Sequence, residues 1–264
     1  MLLDEQAALI EPKKGKREAP LPSLCLLIFT LQDLDLFLRS FPNPPKRTHK
    51  IFLTNVYTGS LEGIPIALAG PVLGAPQAVL VVEKLIALGV RDVLALGWCG
   101  SLQPRVHIGD VILPSGALSE EGTSRHYPLA LEEAGPSPEI LRPLRESFQE
   151  GELTLHEGKV WSTDAPYRET PGKVLAYRKQ GLLAVDMEVS ALFTVARFRG
   201  IRLGASLIVS DDLSSLKWVH GFKEARFQQA RASIVELTLK AMESFAGSSA
   251  NTEESRQIRV EDLQ

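Results

Sequence analysis

Two acidic segments stand where apolar runs stop. Val185-Asp186-Met187-Glu188 joins an apolar run to a helix-period segment beginning near Val189, and Ser210-Asp211-Asp212 follows Leu207-Ile208-Val209. A carboxylate at the mouth of a helix has two uses. It caps free backbone N–H groups, or, as at Glu188, it accepts two hydrogen bonds from neighbouring sugar hydroxyls and so grips a ribose. The adjacent acids at 211 and 212 read as a solvated turn or a cap; if one is partly buried, its pKa rises and it can protonate a leaving group near neutral pH.

Two further segments carry polar or ligand-accessible groups. Leu96-Gly97-Trp98-Cys99-Gly100-Ser101 follows a strand, and reads either as a tight turn packing Trp98 or as a loop whose glycines let backbone N–H groups approach a ligand. Glu121-Gly122-Thr123-Ser124-Arg125-His126-Tyr127 reads as an exposed polar loop, with His126 a surface histidine. No HExxH pair, cysteine-rich metal box, GxSxG elbow or GxxxxGK[ST] loop occurs, which argues against metalloenzyme, serine hydrolase and P-loop chemistry.

The elements that must position these residues follow from periodicity. Ser23–Phe29 reads as a buried strand, Thr54–Leu61 and Ile64–Ala69 as a hairpin around Glu62-Gly63, and Pro76–Leu88 as a helix stopped by Gly89. Val93–Leu96, Ile108–Leu113, Val160–Thr163, Leu182–Val185 and Leu203–Val209 read as strands. Helices are expected over Pro138–Gln149, Glu188–Phe198 and Phe222–Phe245. This alternation predicts one α/β domain, an α/β/α sandwich around a mixed twisted sheet, over residues 21–246. Residues 1–20 and 247–264 are expected to be flexible ends. Ligands of such sheets bind beyond strand C-terminal ends, which selects the segments at 97–101, 162–164, 186–188 and 210–212.

A formal net charge of −3 over 264 residues provides no broad field for nucleic acid or a membrane surface, so a small-molecule partner is expected. Cys25 and Cys99 lie in apolar stretches without paired spacing, suggesting neither disulfide nor metal site. The N-terminal segment does not read as a signal peptide, and no apolar run is long enough to span a bilayer; a cytoplasmic location is expected.

Taken in order, GWCGSLQPRVHIGDVILP, EGTSRHYP, WSTDAPYRET, VDMEVSALFTVARFRG and LIVSDDL resemble the purine and uridine phosphorylase family, in particular its uridine phosphorylase-like branch, over residues 51 to 245. The resemblance implies a homo-oligomer, dimer or hexamer, that cleaves a nucleoside with inorganic phosphate as co-substrate and no other cofactor. It implies that Met187 and Glu188 contact the ribose and that Asp211 is the catalytic acid at the leaving base. It places Asp164, Tyr167 and Trp98 by the base, with Tyr167 available to stack on it.

The sequence departs from the family at the phosphate. The family's GDPxR-like loop after the first strand is replaced by Thr30-Leu31-Gln32-Asp33-Leu34-Asp35. Ala95 stands where a second arginine is usual, and Trp98 where a small hydroxyl residue is usual. Because a dianion needs donors and positive charge, Gly97, Arg125 and Arg168 are the candidate phosphate contacts, with Lys50 and backbone N–H groups near Gly74 as further substitutes. The uridine-specific glutamine and arginine pair has no counterpart, leaving the base open. Three functions therefore compete: a nucleoside phosphorylase with an altered phosphate site, a nucleosidase using water with Asp33 or Asp35 as the nearby acid, and a non-catalytic nucleoside-binding protein.

Overall fold

The computed structural model of the chain describes residues 8–129 and 134–261, with side chains as far as 248. Along the chain run β1 (Leu24–Ile28), α1 (Leu31–Ser40), β2 (Lys46–Ile51), β3 (Thr54–Leu61), β4 (Ile64–Gly70) and α2 (Ala75–Ala87). Next come β5 (Asp92–Ser101), β6 (Val111–Ser119), α3 (Pro138–Gln149), β7 (Leu155–Ser162), α4 (Pro171–Lys179) and β8 (Ala184–Asp186). The set ends with α5 (Val189–Arg199), β9 (Arg202–Asp212), β10 (Val219–His220) and α6 (Ala225–Glu261).

β1 shows why the chain layers. Every one of its residues is buried, as a strand covered on both faces requires. Cys25 and Leu27 point into one core with Val82 and Leu85 of α2 and Leu192 and Phe193 of α5. Leu26 and Ile28 point the other way, against Phe37 of α1, Leu144 and Phe148 of α3, and Phe227 and Ile234 of α6. The result is the expected three-layer α/β/α sandwich.

The sheet is mixed, in the order β10-β9-β6-β7-β8-β5-β1-β4-β3-β2. β9 also pairs with β5, so five of the strands (β5, β9, β6, β7 and β8) close on themselves like a small barrel, a closure that periodicity does not reveal. β5 is the hinge of this arrangement. Along one edge it pairs in parallel with β1 as far as Ile28↔Leu96, and then with antiparallel β8 from Gly100↔Val185. Between those registers Gly97, Trp98 and Cys99 have no strand partner on that edge, and the sheet splits there. A split between diverging strands is where α/β sheets bind ligands.

Several local expectations change. Gly97–Ser101 is not a loop but the second half of β5, and Ser210–Asp212 ends β9 instead of following it. The strand expected from Ile108 starts at Val111, after Gly109 takes a φ of +86°. α1, β2, α4 and β10 were not expected. α1 is short but its start is capped, with Thr30 Oγ1 accepting from the Asp33 N–H. α6 runs past the expected Phe245 to Glu261. The flexible ends expected at 1–20 and 247–264 lie partly outside the described residues. Among those described, no helix is long and apolar enough to cross a membrane.

Candidate active site

The two acidic segments of the sequence meet at the split. β8 delivers Asp186 at its last residue, and the side chain turns back onto the start of α5. Its Oδ2 accepts from the Glu188 and Val189 N–H groups at 2.8 and 2.6 Å, and its Oδ1 accepts from Ser162 Oγ at 2.5 Å. Capping therefore falls to Asp186. Glu188, at the cap position itself, makes no side-chain cap bond. It points instead to the start of α2, where its Oε1 accepts a 2.6 Å hydrogen bond from the Gly74 N–H. Gly74 has a φ of +79°, a left-handed conformation open to glycine.

Burial raises the pKa of Glu188 and of Asp186 above the ordinary carboxylate range, and in Glu188 the neighbouring Asp186 charge adds to it. Backbone donors oppose the rise in both.

Asp211 arrives from the other side of β5. A bulge between Cys99 and Gly100 shifts the register with β9, so that Asp211 pairs with Gly100 while Val209 pairs with Cys99. Ser210 is the extra residue, and such bulges re-aim neighbouring side chains. A Cβ at position 100 would sit 2.9 Å from Asp211 Oδ2, so glycine there leaves the carboxylate room for this approach. Asp211 Oδ1 accepts from Ser210 Oγ at 2.6 Å and Oδ2 from Trp218 Nε1 at 3.0 Å. Burial pushes its pKa up against those donors, the direction that lets a carboxyl hold a proton for a leaving group.

These residues line one cavity of about 560 Å³. Its wall contains Phe29, Thr30, Trp98, Cys99 and Gly100 at the split, then Met187, Glu188, Asp211 and Glu169, with Tyr167, Trp218 and Phe222 adding aromatic surface. Four carboxylates line it, and among the described residues no lysine, arginine or histidine does. A buried cation behind Trp98 is already paired: Arg231 Nε donates to Asp33 Oδ1 at 2.6 Å. Asp33 Oδ2 accepts from Trp98 Nε1, also at 2.6 Å, and from Thr30 Oγ1 at 2.8 Å. The guanidinium also lies over the Trp98 ring, 5.3 Å from its centroid.

Residues 23–243 match the family model of the Phosphorylase superfamily. The chain belongs to that superfamily. It is 33% identical over 158 residues to a guanosine phosphorylase of Halorubrum lacusprofundi, a stretch covering 60% of this chain and 66% of that protein. It is 29% identical over 161 residues to a uridine phosphorylase of Thermococcus kodakarensis, covering 56% of this chain and 58% of that protein. The chain thus spans about two thirds or less of the length of these two curated relatives. Among solved structures, the fold matches a uridine phosphorylase from Vibrio fischeri with a TM-score of 0.77 at 21% identity, covering 86% of this chain and 99% of that one. A purine nucleoside phosphorylase from Toxoplasma gondii gives a TM-score of 0.77 at 19% identity, covering 87% and 96%.

Within this superfamily member the expected site residues divide in two. Trp98, Tyr167, Met187, Glu188 and Asp211 share the cavity. Asp164, Gly97, Arg125 and Arg168 do not line it. Asp164 is turned to the loop after β6, where its Oδ2 accepts from the Gly122 N–H at 2.7 Å. Gly97 faces the Phe29 ring, and a Cβ there would lie 2.1 Å from Phe29 Cδ2, so its glycine serves close packing. Arg168 is exposed in the turn Pro166–Arg168. Arg125, His126 and Lys50 line a second, separate cavity.

The expected exposed loop at 121–127 is built around Glu121, which is 1% exposed and accepts from the Thr123 and Ser124 N–H groups and the hydroxyls of Ser119, Ser124 and Ser190. Sequence reading missed Glu169, Trp218 and Phe222. The one available signal was WVHGF at 218–222, an aromatic cluster between a strand end and a helix.

Proposed function

We propose that this cavity binds a nucleoside and that the chain cleaves its N-glycosidic bond by phosphorolysis, giving free base and pentose 1-phosphate. The observation that carries the reading is that Glu188 and Asp211, brought by different strands, line one cavity together with Met187. Glu188 Oε2 is left to accept from the ribose hydroxyls, because Oε1 holds the Gly74 N–H. As the bond from C1′ to the base nitrogen breaks, the electron pair leaves with the base and Asp211 supplies a proton. The sugar becomes cationic, and the carboxylate lining stabilises that charge. A phosphate oxygen then bonds to C1′. The names of the curated relatives support phosphate as the acceptor.

A second reading, hydrolysis by water, is favoured by one observation. No cation lines the cavity among the described residues, and Arg231 is neutralised by Asp33. A phosphate dianion entering here meets carboxylates instead of guanidinium groups.

Purine and pyrimidine nucleosides incubated with phosphate, and separately in phosphate-free buffer, distinguish these readings by chromatography of the released base. Release only with phosphate supports phosphorolysis, and equal release without it supports hydrolysis. Binding without release overturns cleavage of either kind.

A further inference from the structure

The carboxyl of Asp211 is held from both sides. Ser210 Oγ donates to its Oδ1 at 2.6 Å, and the indole N–H of Trp218 donates to its Oδ2 at 3.0 Å. These donors differ in kind. A serine hydroxyl can also accept a proton, and Ser210 Oγ lies 3.3 Å from the Cys99 carbonyl oxygen, a second acceptor for its own hydrogen. An indole N–H only donates.

A tight turn brings Trp218 back to Asp211. Asp212 Oδ1 accepts from the Ser214 N–H at 2.6 Å, Arg178 of α4 donates to the Ser214 carbonyl at 2.8 Å, and Leu216 takes a left-handed φ of +61°. β10 then runs back along β9, with Val219 opposite Asp212 and His220 opposite Asp211. The Gly221 N–H donates to the Ser210 carbonyl at 2.8 Å, and a Cβ there would lie 2.2 Å from Ile108 Cγ2, so the end of the strand is closely packed. Core burial does not explain the tryptophan. It is 62% exposed at the cavity wall, beside the rings of His220 and Phe222.

We infer that Trp218 is a positioning residue for the acid, fixing the Asp211 carboxyl and stabilising the negative charge that forms on it as its proton leaves for the base. This rests on the cleavage reading above. A neutral carboxyl accepts an N–H weakly and a carboxylate accepts it strongly, so the bond tightens as the proton moves and favours the transition state over the bound substrate. Because the indole cannot accept, it does not compete with the base for that proton.

Around the carboxyl stand Asp212 on its own strand, His220 on β10, Glu169 before α4 and Cys99 on β5, with Asp186 of β8 and Glu188 before α5 lining the same cavity. Burial and the Asp212 charge favour its protonated form, and the Ser210 and Trp218 hydrogen bonds and His220 favour the ionised one.

The test uses the full chain, Trp218→Phe, Asp211→Asn and the double variant. Trp218→Phe keeps a ring at the cavity wall and removes the N–H. Its kcat on purine nucleosides is expected to fall about tenfold, the worth of one charge-assisted hydrogen bond. The pH at which activity is lost on the alkaline side is expected to rise by about one unit, since the acid has lost a donor to its ionised form. A p-nitrophenyl riboside, which needs no acid, should be cleaved at nearly the natural rate, which also shows that the variant is folded. Adding Trp218→Phe to Asp211→Asn should cost nothing further. Equal loss on both substrates, an unmoved alkaline limb, or a full additional loss in the double variant overturns the inference.

A second measurement needs no turnover. The NMR resonance of the Trp218 indole N–H, identified by its absence from Trp218→Phe, should lose in Asp211→Asn a titration step that it shows in the natural chain. An indole with the same titration in both reports the neighbouring His220 and overturns the inference. A step lost with Asp211, in a chain that cleaves no nucleoside, sustains the hold on the carboxyl and overturns the cleavage reading instead.

Discussion

Trp98 Nε1 donates a 2.6 Å hydrogen bond to Asp33 Oδ2, joining β5 at the cavity wall to α1. Because the other oxygen of Asp33 holds Arg231 of α6, this one carboxylate ties α1 to residues 65 and 198 positions away in the sequence. It also explains what the departures at Asp33 and Trp98 accomplish together. Trp98 fills space that a small hydroxyl residue would leave open, and Asp33 provides an internal negative charge for the buried Arg231 beside it.

Asp33→Asn is expected to destabilise the chain by about 3–5 kcal/mol, since it leaves Arg231 buried without a countercharge. Chemical denaturation measures this directly. A midpoint unchanged from that of the natural chain would show that the pair contributes nothing.

Glu188→Gln keeps the shape of the side chain and an oxygen for the Gly74 N–H, but removes the charge proposed to hold the ribose hydroxyls. The expected loss in kcat/KM is about 100-fold, from two charge-assisted bonds weakened together. Steady-state kinetics on a cleaved nucleoside checks it, and wild-type rates in this variant would remove Glu188 from the site.

Asp211→Asn cannot supply a proton to the departing base. Its kcat on purine nucleosides is expected to fall about 10²-fold or more. A riboside with a leaving group that departs unaided, such as p-nitrophenolate, should be cleaved by the variant at nearly the natural rate. An equal loss on both substrates would indicate that Asp211 positions the substrate and does not protonate it.

Glu169 provides a stability signature that does not depend on substrate. Its pKa rises from 4.5 to about 7 on folding, through burial and the nearby Asp211 charge. Its protonation therefore stabilises the folded chain fully below pH 4.5, and that contribution is lost as pH rises through 7. Glu169→Gln, which cannot ionise, should melt above the natural chain at pH 8 and together with it at pH 4.5. Part exposure of the side chain holds the gain to ~1 kcal/mol or less. Thermal denaturation at the two pH values reads it, and a lower melting temperature for the variant at pH 8 would contradict the assigned environment.

The sequence by itself determined the layering and singled out two of the acids that line the candidate cavity. Periodicity is a local property, so Pro138–Gln149 was legible to the residue, and β1, the β3–β4 hairpin, α2 and α5 were legible to within about two residues. The acids at 188 and 211 could each be read as a cap or a solvated turn, and they were singled out by the ordered motifs that carry the family resemblance.

Only the tertiary structure decided which acid caps α5 and which reaches across to α2. Asp186 and Glu188 are two residues apart and alike in type, and Ser162, 24 residues from Asp186 in the chain, helps hold Asp186 as the cap. Tertiary structure also decided that Gly97 packs against Phe29 while Gly100 makes room for Asp211, because each depends on what a Cβ would meet from another strand. Glu169 was invisible for the same reason: an acid in a polar turn looks solvated until the fold places it beside Asp211 with no donor to answer it. The closed ring of β5, β9, β6, β7 and β8 lay beyond sequence reading as well, since pairing partners are set by long-range register and not by the pattern within any one strand.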